Sequence, residues 1–249
     1  MNEIVIKLEP ISHYTIHLSE IKDGTFTHDD LEGESAKNKA SQDCLNYLSE
    51  LNPGRRWGYF FHQHQANRVI WTKDKLSPGK QFFLATADAA VTNASNFGLA
   101  MLVADCFPIL LVDQRRQVFA LIHAGWKPLL QNIIELTLLD LKLEFGVKPT
   151  GLTAWIGPGV RNCCYRFSDK PLQAELPSWQ PTIQKQKSKW AIDLPLFIIN
   201  ELKRLGLNQK QILDYGQCTY CQDQTFFSHR RSLEKKDQKG RIVVGVSHP

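Results

Sequence analysis

Between Phe82 and Ala124 the chain reads as a close succession of short strand-like apolar runs: Phe82 to Leu84, Ala89 to Thr92, Leu99 to Val103, Ile109 to Asp113 and Val118 to Ile122. Turn-forming residues punctuate them at 93–96 and 114–117. Runs this closely spaced predict strands paired antiparallel or in a mixed sheet. Two of them end on reactive side chains. Leu99 to Val103 leads into Ala104-Asp105-Cys106-Phe107-Pro108, and Val118 to Ile122 leads into His123-Ala124-Gly125-Trp126. This places Cys106 and His123 at the ends of neighbouring strands, a layout that favours an enzyme over a binding module.

Helices and further strands frame this region. A first strand is predicted over Glu3 to Leu8. Residues 29–51 carry Leu31, Ala36, Ala40, Cys44, Leu45, Leu48 and Leu51 at helical spacing before Asn52-Pro53-Gly54 stops them. A helix opening near Pro128 continues through Ile133, Ile134, Leu138 and Leu141 to Gly146. A strand over Leu152 to Ile156 precedes Gly157-Pro158-Gly159. Asp193 is a good N-cap for a helix with Pro195 in its first turn, running to Leu205 before Gly206. Ile242 to Val246 forms the last strand. The pattern predicts an α/β (α+β) fold in a single domain over residues 1–249, with mixed β-sheets flanked by helices and an active site at strand ends.

Composition narrows the function classes. With 249 residues, 43% of them hydrophobic, the chain is ample for a buried core. No window has the apolar length of a membrane span, and the first residues lack a basic segment followed by an apolar one. The expectation is a soluble, cytoplasmic protein. The formal charge of +5, from 30 basic and 25 acidic residues, is dispersed, so it suits an anionic small molecule at least as well as nucleic acid. A small-molecule substrate is expected, with neither nucleic acid nor membrane as partner. Six cysteines without a secretory signal point to reduced thiols or metal ligands.

Alone, Cys106 is equally a small buried hydrophobe and His123 a core histidine bonded to backbone. Together they suggest a thiolate and base pair, or two of the three protein ligands of a catalytic zinc. His62-Gln63-His64 is the obvious source of a third, because residues two apart in an extended segment share a face. Cys218-Thr219-Tyr220-Cys221 competes for the metal: with Cys163 and Cys164 it offers a closed four-sulfur site. Against this, adjacent cysteines in a strand point to opposite faces. A redox role for this pair lacks the surrounding βαβ pattern.

The segments 88–93, 104–108, 123–126, Ile156-Gly157-Pro158 with Cys163-Cys164-Tyr165, and Cys218-Thr219 with 226–231 resemble the ordered motifs of the laccase-domain family. That family is also called multicopper polyphenol oxidase, peptidoglycan editing factor or purine nucleoside phosphorylase-like. The resemblance covers roughly residues 60 to 246. It implies a zinc site of two histidines and one cysteine, carried here by His64, Cys106 and His123, with His62 as the fallback for the first. It also implies activities ranging over phosphorolysis of adenosine, inosine, guanosine or methylthioadenosine, adenosine deamination, editing of a cell-wall precursor, and copper-dependent phenol oxidation. The chain departs from the family where Lys127-Pro128 replaces Arg-Gly and where Arg166-Phe167 replaces Glu-Val. Lysine keeps the charge but loses the planar fork that grips an oxyanion twice.

A zinc-dependent transferase or hydrolase acting on purine nucleosides is therefore expected, zinc serving as Lewis acid or water activator. Lys127, Arg56, Arg230 and Arg231 are the basic candidates for phosphate, and Asp88 or Asp105 for the proton. Other readings stay open: a metal-free cysteine hydrolase using Cys106 and His123 on cell-wall precursors, and a non-catalytic protein with structural zinc. Copper chemistry fits least, because a multi-copper cluster demands many of the chain's eight histidines.

Overall fold

Every side chain of the Phe97–Val103 strand is buried, and alternate residues serve different layers. Leu99, Met101 and Val103 pack with Leu110, Val112, Phe119 and Leu121 of a second sheet. Ala100 and Leu102 point the other way, onto Cys44, Leu45 and Leu48 of the Gly33–Leu51 helix. A continuous apolar run is what a strand needs when both of its faces are covered.

The computed structural model describes residues 4–6, 13–27, 33–62 and 64–248. Two six-stranded mixed sheets stack face to face. The first runs, in spatial order, Ile4–Ile6, Thr15–Leu18, Ile242–Ser247, Phe97–Val103, Arg56–Phe61 and Phe82–Thr86. The second runs Ile212–Asp214, Thr153–Ile156, Phe107–Asp113, Val118–Ala124, Ala89–Thr92 and Arg68–Trp71. Its outer face holds Ile109, Leu111, Ala120 and Ile122 against Ile133, Leu141, Phe197 and Ile198 of the Ile133–Phe145 and Leu194–Arg204 helices. The layers are thus helix, sheet, sheet, helices, a mixed α/β fold. A small third sheet, Arg166–Phe167, Lys189–Ile192 and Ile183–Gln186, flanks them.

Several predicted elements hold with small changes of bounds. Asp193 caps its helix by accepting the Leu196 N–H at 3.0 Å, a cap worth about 1 kcal/mol. The first strand covers Ile4–Ile6, and the rest of its predicted span lies outside the described residues, as do positions 29–32 of the predicted 29–51 helix. The closely spaced runs divide between the two mixed sheets: Phe97–Val103 belongs to the first and Phe107–Asp113 to the second, and residues 104–106 carry the chain across. One expectation is corrected. The helix expected from Pro128 to Gly146 is two, Trp126–Leu130 and Ile133–Phe145. Asn132 takes φ +58° between them, a left-handed conformation that asparagine tolerates better than most residues.

The crossing at 104–106 and the register of the second sheet converge on one edge. Pro108 lies opposite His123 and Ala89 opposite Ile122, so Cys106, His123 and Asp88 emerge together. Phe61, at the end of Arg56–Phe61, accepts the Ala87 N–H at 2.9 Å, which brings His62 to the same edge.

Candidate active site

Asp88 organises this edge. Its side chain has no solvent exposure, and its Oδ1 accepts the His64 N–H at 2.9 Å while Oδ2 accepts the Gln65 N–H at 2.8 Å. Oδ1 also lies 3.4 Å from His123 Nδ1, and the His123 backbone N–H donates to the Asp88 carbonyl at 2.8 Å. Burial works against the Asp88 charge, but these donors outweigh it and hold the carboxyl down at about 2. An Nδ1–H shared with this carboxylate turns His123 Nε2 outward as a lone-pair donor, the arrangement common to metal-binding histidines.

The other rings gather around His123. His62 stacks on it at 4.0 Å between centroids and 22° between planes, and His64 sits 5.1 Å away. His64 does not share an extended segment with His62: its φ is +58°, and the turn, not strand alternation, brings both rings together. Burial and the neighbouring His123 ring push both imidazoles below their usual values, His62 far below. Cys106 completes the group. Its sulfur contacts His123, and a Cβ on Gly125 would stand only 2.9 Å from Cys106 Sγ. Burial lowers His123, yet the Cys106 sulfur and the Asp88 carboxylate outweigh it and raise this imidazole to about 9. Imidazole nitrogens and a thiolate are the donors that zinc and copper favour, so the residues present fit a metal ion. His64, Asp88 and His123 bring ligand atoms within 4.8 Å of one another.

Asp105 borders Cys106 in a left-handed conformation at φ +79°. It stays there because Thr219 Oγ1 donates to Oδ1 at 2.7 Å and the Arg230 N–H donates to Oδ2 at 2.7 Å. Asp88 therefore positions the His64 and Gln65 backbone and the His123 ring, Asp105 ties its own segment to Thr219 and Arg230, and the oxygens of both already accept donors.

These side chains floor a cleft of about 530 Å³ whose walls include Trp126, Lys127, Tyr165, Phe167, His229 and Arg230. The volume lies in the range of small-ligand sites. Arg230 lies over the Tyr165 and Phe167 rings at 5.2 and 4.9 Å, and Lys127 lies 5.5 Å from the Trp126 ring. The four predicted cations thus separate. Lys127 and Arg230 line the cleft. Arg56 does not: it opens the six-residue strand that His62 follows, about 20 Å away. Arg231 is 2% exposed, and its guanidinium is spent on Asp237 and on the carbonyls of Thr219, Tyr220 and Phe226. Tyr165, Phe167, Trp126 and His229 were not singled out from sequence as cleft residues. Trp126, Tyr165 and His229 lie inside the motifs, but no spacing rule joins segments so far apart in the chain.

The second sulfur group also differs from expectation. Cys163 and Cys164 lie on a turn, not in a strand, and so do not point apart: with Cys218 and Cys221 their sulfurs all lie within 4.8 Å of one another.

A family model described as multi-copper polyphenol oxidoreductase laccase matches residues 29–248. The chain belongs to this laccase family. Among relatives of this laccase-domain chain, a purine nucleoside phosphorylase of Clostridium acetobutylicum is 32% identical over 188 residues, 75% of this chain and 76% of its own. YlmD of Bacillus subtilis, likewise named a purine nucleoside phosphorylase, is 29% identical over 76% of this chain and 71% of its own. The crystal structure of YlmD from Geobacillus stearothermophilus shares the fold, with a TM-score of 0.79 at 23% identity over 97% of this chain and 94% of that one. The family's description names copper, and the donor set at Cys106 and His123 is compatible with copper or zinc. Among the described residues no helix is long and apolar enough to cross a membrane.

Proposed function

We propose that this laccase-domain protein is a zinc-dependent purine nucleoside phosphorylase acting on adenosine, inosine, guanosine or methylthioadenosine. The observation that carries the reading is that His62, His64, Cys106 and His123 line one cleft with aromatic walls and three cations, Lys127, Arg230 and Arg241, while Asp88 holds the His123 ring and the His64 backbone. The names of the Clostridium acetobutylicum and Bacillus subtilis relatives support it. In the reaction the C1′–N9 bond breaks, a phosphate oxygen bonds to C1′, and the departing purine takes up a proton.

A metal ion bound by these residues supplies Lewis acidity to the reacting centre. His64 or His62 with Cys106 and His123 are its ligands, and Asp88 fixes the His123 ring and the His64 backbone. Tyr165, Phe167 and Trp126 offer ring faces to the flat apolar base. Lys127 and Arg230 hold the phosphate through charge-assisted hydrogen bonds, with Lys127 acting as a point charge. The proton for the leaving base comes from a group lining the cleft, and His229 is the candidate there. Deamination of adenosine is the companion activity of the same cleft.

One observation favours a second reading: Cys106, His123 and Asp88 stand in the order of a thiol, a base and an orienting carboxylate. A cysteine hydrolase acting on cell-wall precursors would use this line without metal. Chelation and thiol blocking separate the two. Phosphorolysis requires that chelation abolish turnover of inosine and phosphate and that added zinc restore it; a hydrolase keeps its activity through chelation and loses it to a thiol reagent. Copper in place of zinc as the restoring ion would revise the metal and keep the site.

A further inference from the structure

The adjacent cysteines 163 and 164, and the pair 218 and 221, are not used by the cleft. We propose that these four cysteines hold a structural zinc ion, separate from the His/Cys centre and independent of the activity assigned to it. Cys163 Sγ lies 3.7 Å and Cys164 Sγ 3.4 Å from Cys221 Sγ, and all four sulfurs fall within 4.8 Å of one another. A tetrahedral ion with Zn–S bonds of about 2.3 Å spaces its sulfurs about 3.8 Å apart. The cluster has that dimension. Pairwise thiol contacts would account for two sulfurs meeting, whereas convergence of four from two distant segments is the geometry of a closed coordination shell.

The backbone is shaped for it. Cys163 and Cys164 ride a turn in which the N–H groups of Cys164 and Tyr165 both donate to the Arg161 carbonyl, at 2.9 and 2.8 Å. Cys218 and Cys221 ride a second turn, closed by the Gln222 N–H on the Cys218 carbonyl at 3.0 Å. The Arg161 N–H points at Cys218 Sγ at 3.5 Å, the kind of outer-shell donor that orients a thiolate ligand. Gly159 and Cys218 form a parallel bridge, so the two segments already meet and need only a pin. Binding forms four Zn–S bonds, releases four thiol protons to solvent and transfers no electrons.

The pin has consequences for the cleft. Val160 and Tyr165, both lining the cleft, flank the first turn, and Thr219, whose hydroxyl holds Asp105 beside Cys106, sits in the second. A structural ion here fixes that wall, as an inert site with no open position for substrate.

The test removes the other metal site first. In Cys106→Ala purified under reducing conditions, metal analysis is expected to find one zinc per chain, and adding Cys221→Ser, at an exposed position, is expected to remove it. On the unmutated protein, stepwise mercurial titration is expected to release this zinc as the four clustered thiols are consumed, a measurement that needs no variant to fold. Equal zinc in Cys106→Ala with and without Cys221→Ser would overturn the proposal. So would a disulfide joining Cys221 to Cys163 or Cys164 in the reduced preparation. Loss of nucleoside turnover alone bears on the cleft and not on this site.

Discussion

Asp88 Oδ1 faces His123 Nδ1 at 3.4 Å while the same carboxylate holds the His64 backbone at 2.9 Å. One buried group therefore sets the orientation of two metal-ligand candidates. Asp88→Asn keeps the shape, but its amide has one acceptor where the carboxylate has two, and an N–H now meets either His123 or the Gln65 N–H. Metal affinity is expected to fall about 10- to 100-fold, the usual cost of an outer-shell partner. Competition with a chromophoric chelator measures it.

Gly125 leaves room for the Cys106 sulfur. Its φ of −81° is open to any residue, so only space is at issue. In Gly125→Ala the new methyl would stand 2.9 Å from Cys106 Sγ and displace it. The expected result is a folded protein with at least about tenfold weaker metal binding and correspondingly lower turnover, read by metal analysis beside a thermal melt.

Lys127 and Arg231 separate binding from stability. Lys127→Met removes a cleft cation, and the KM for phosphate is expected to rise about tenfold, the equivalent of ~1.4 kcal/mol, with the melting temperature unchanged. Arg231→Met leaves the carbonyls of Thr219, Tyr220 and Phe226 without their donor. Its expected cost is about 3 kcal/mol or more in stability, seen as a lower denaturant midpoint.

Arg161 clamps Asp214 with two hydrogen bonds, at 2.9 and 2.6 Å. Burial would raise the Asp214 carboxyl, but Arg161 and the Gly216 N–H overcome it and hold it below the usual carboxylate range. A depressed folded value gives stability that is present above the unfolded pKa of about 3.9 and is lost as pH falls through the folded value. Asp214→Asn is thus expected to be less stable than the parent by up to ~1 kcal/mol at neutral pH. The gap is expected to close toward pH 3 in parallel melts.

Local rules made part of this molecule legible. The Asp193 cap, the Ala89–Thr92 strand and the strand-end positions of Cys106 and His123 follow from neighbours in sequence. The assignment of strands to two sheets does not, because the crossing at 104–106 is fixed by which faces are covered and not by any residue in the turn. Four cations looked alike in sequence, and only tertiary packing buried Arg231 and sent Arg56 to the far end of its strand. For Cys163 and Cys164 the secondary structure decides: a strand would separate adjacent side chains, whereas the turn at 162–164 gathers them. His62 and His64 meet for a reason other than the one their spacing gave, through the left-handed turn at His64.

The most direct test is to follow inosine with and without inorganic phosphate, using the unmutated protein and Cys106→Ala. Hypoxanthine and ribose 1-phosphate are expected in equal amounts, dependent on phosphate and lost in Cys106→Ala. Base release without phosphate, or undiminished turnover in Cys106→Ala, would contradict it.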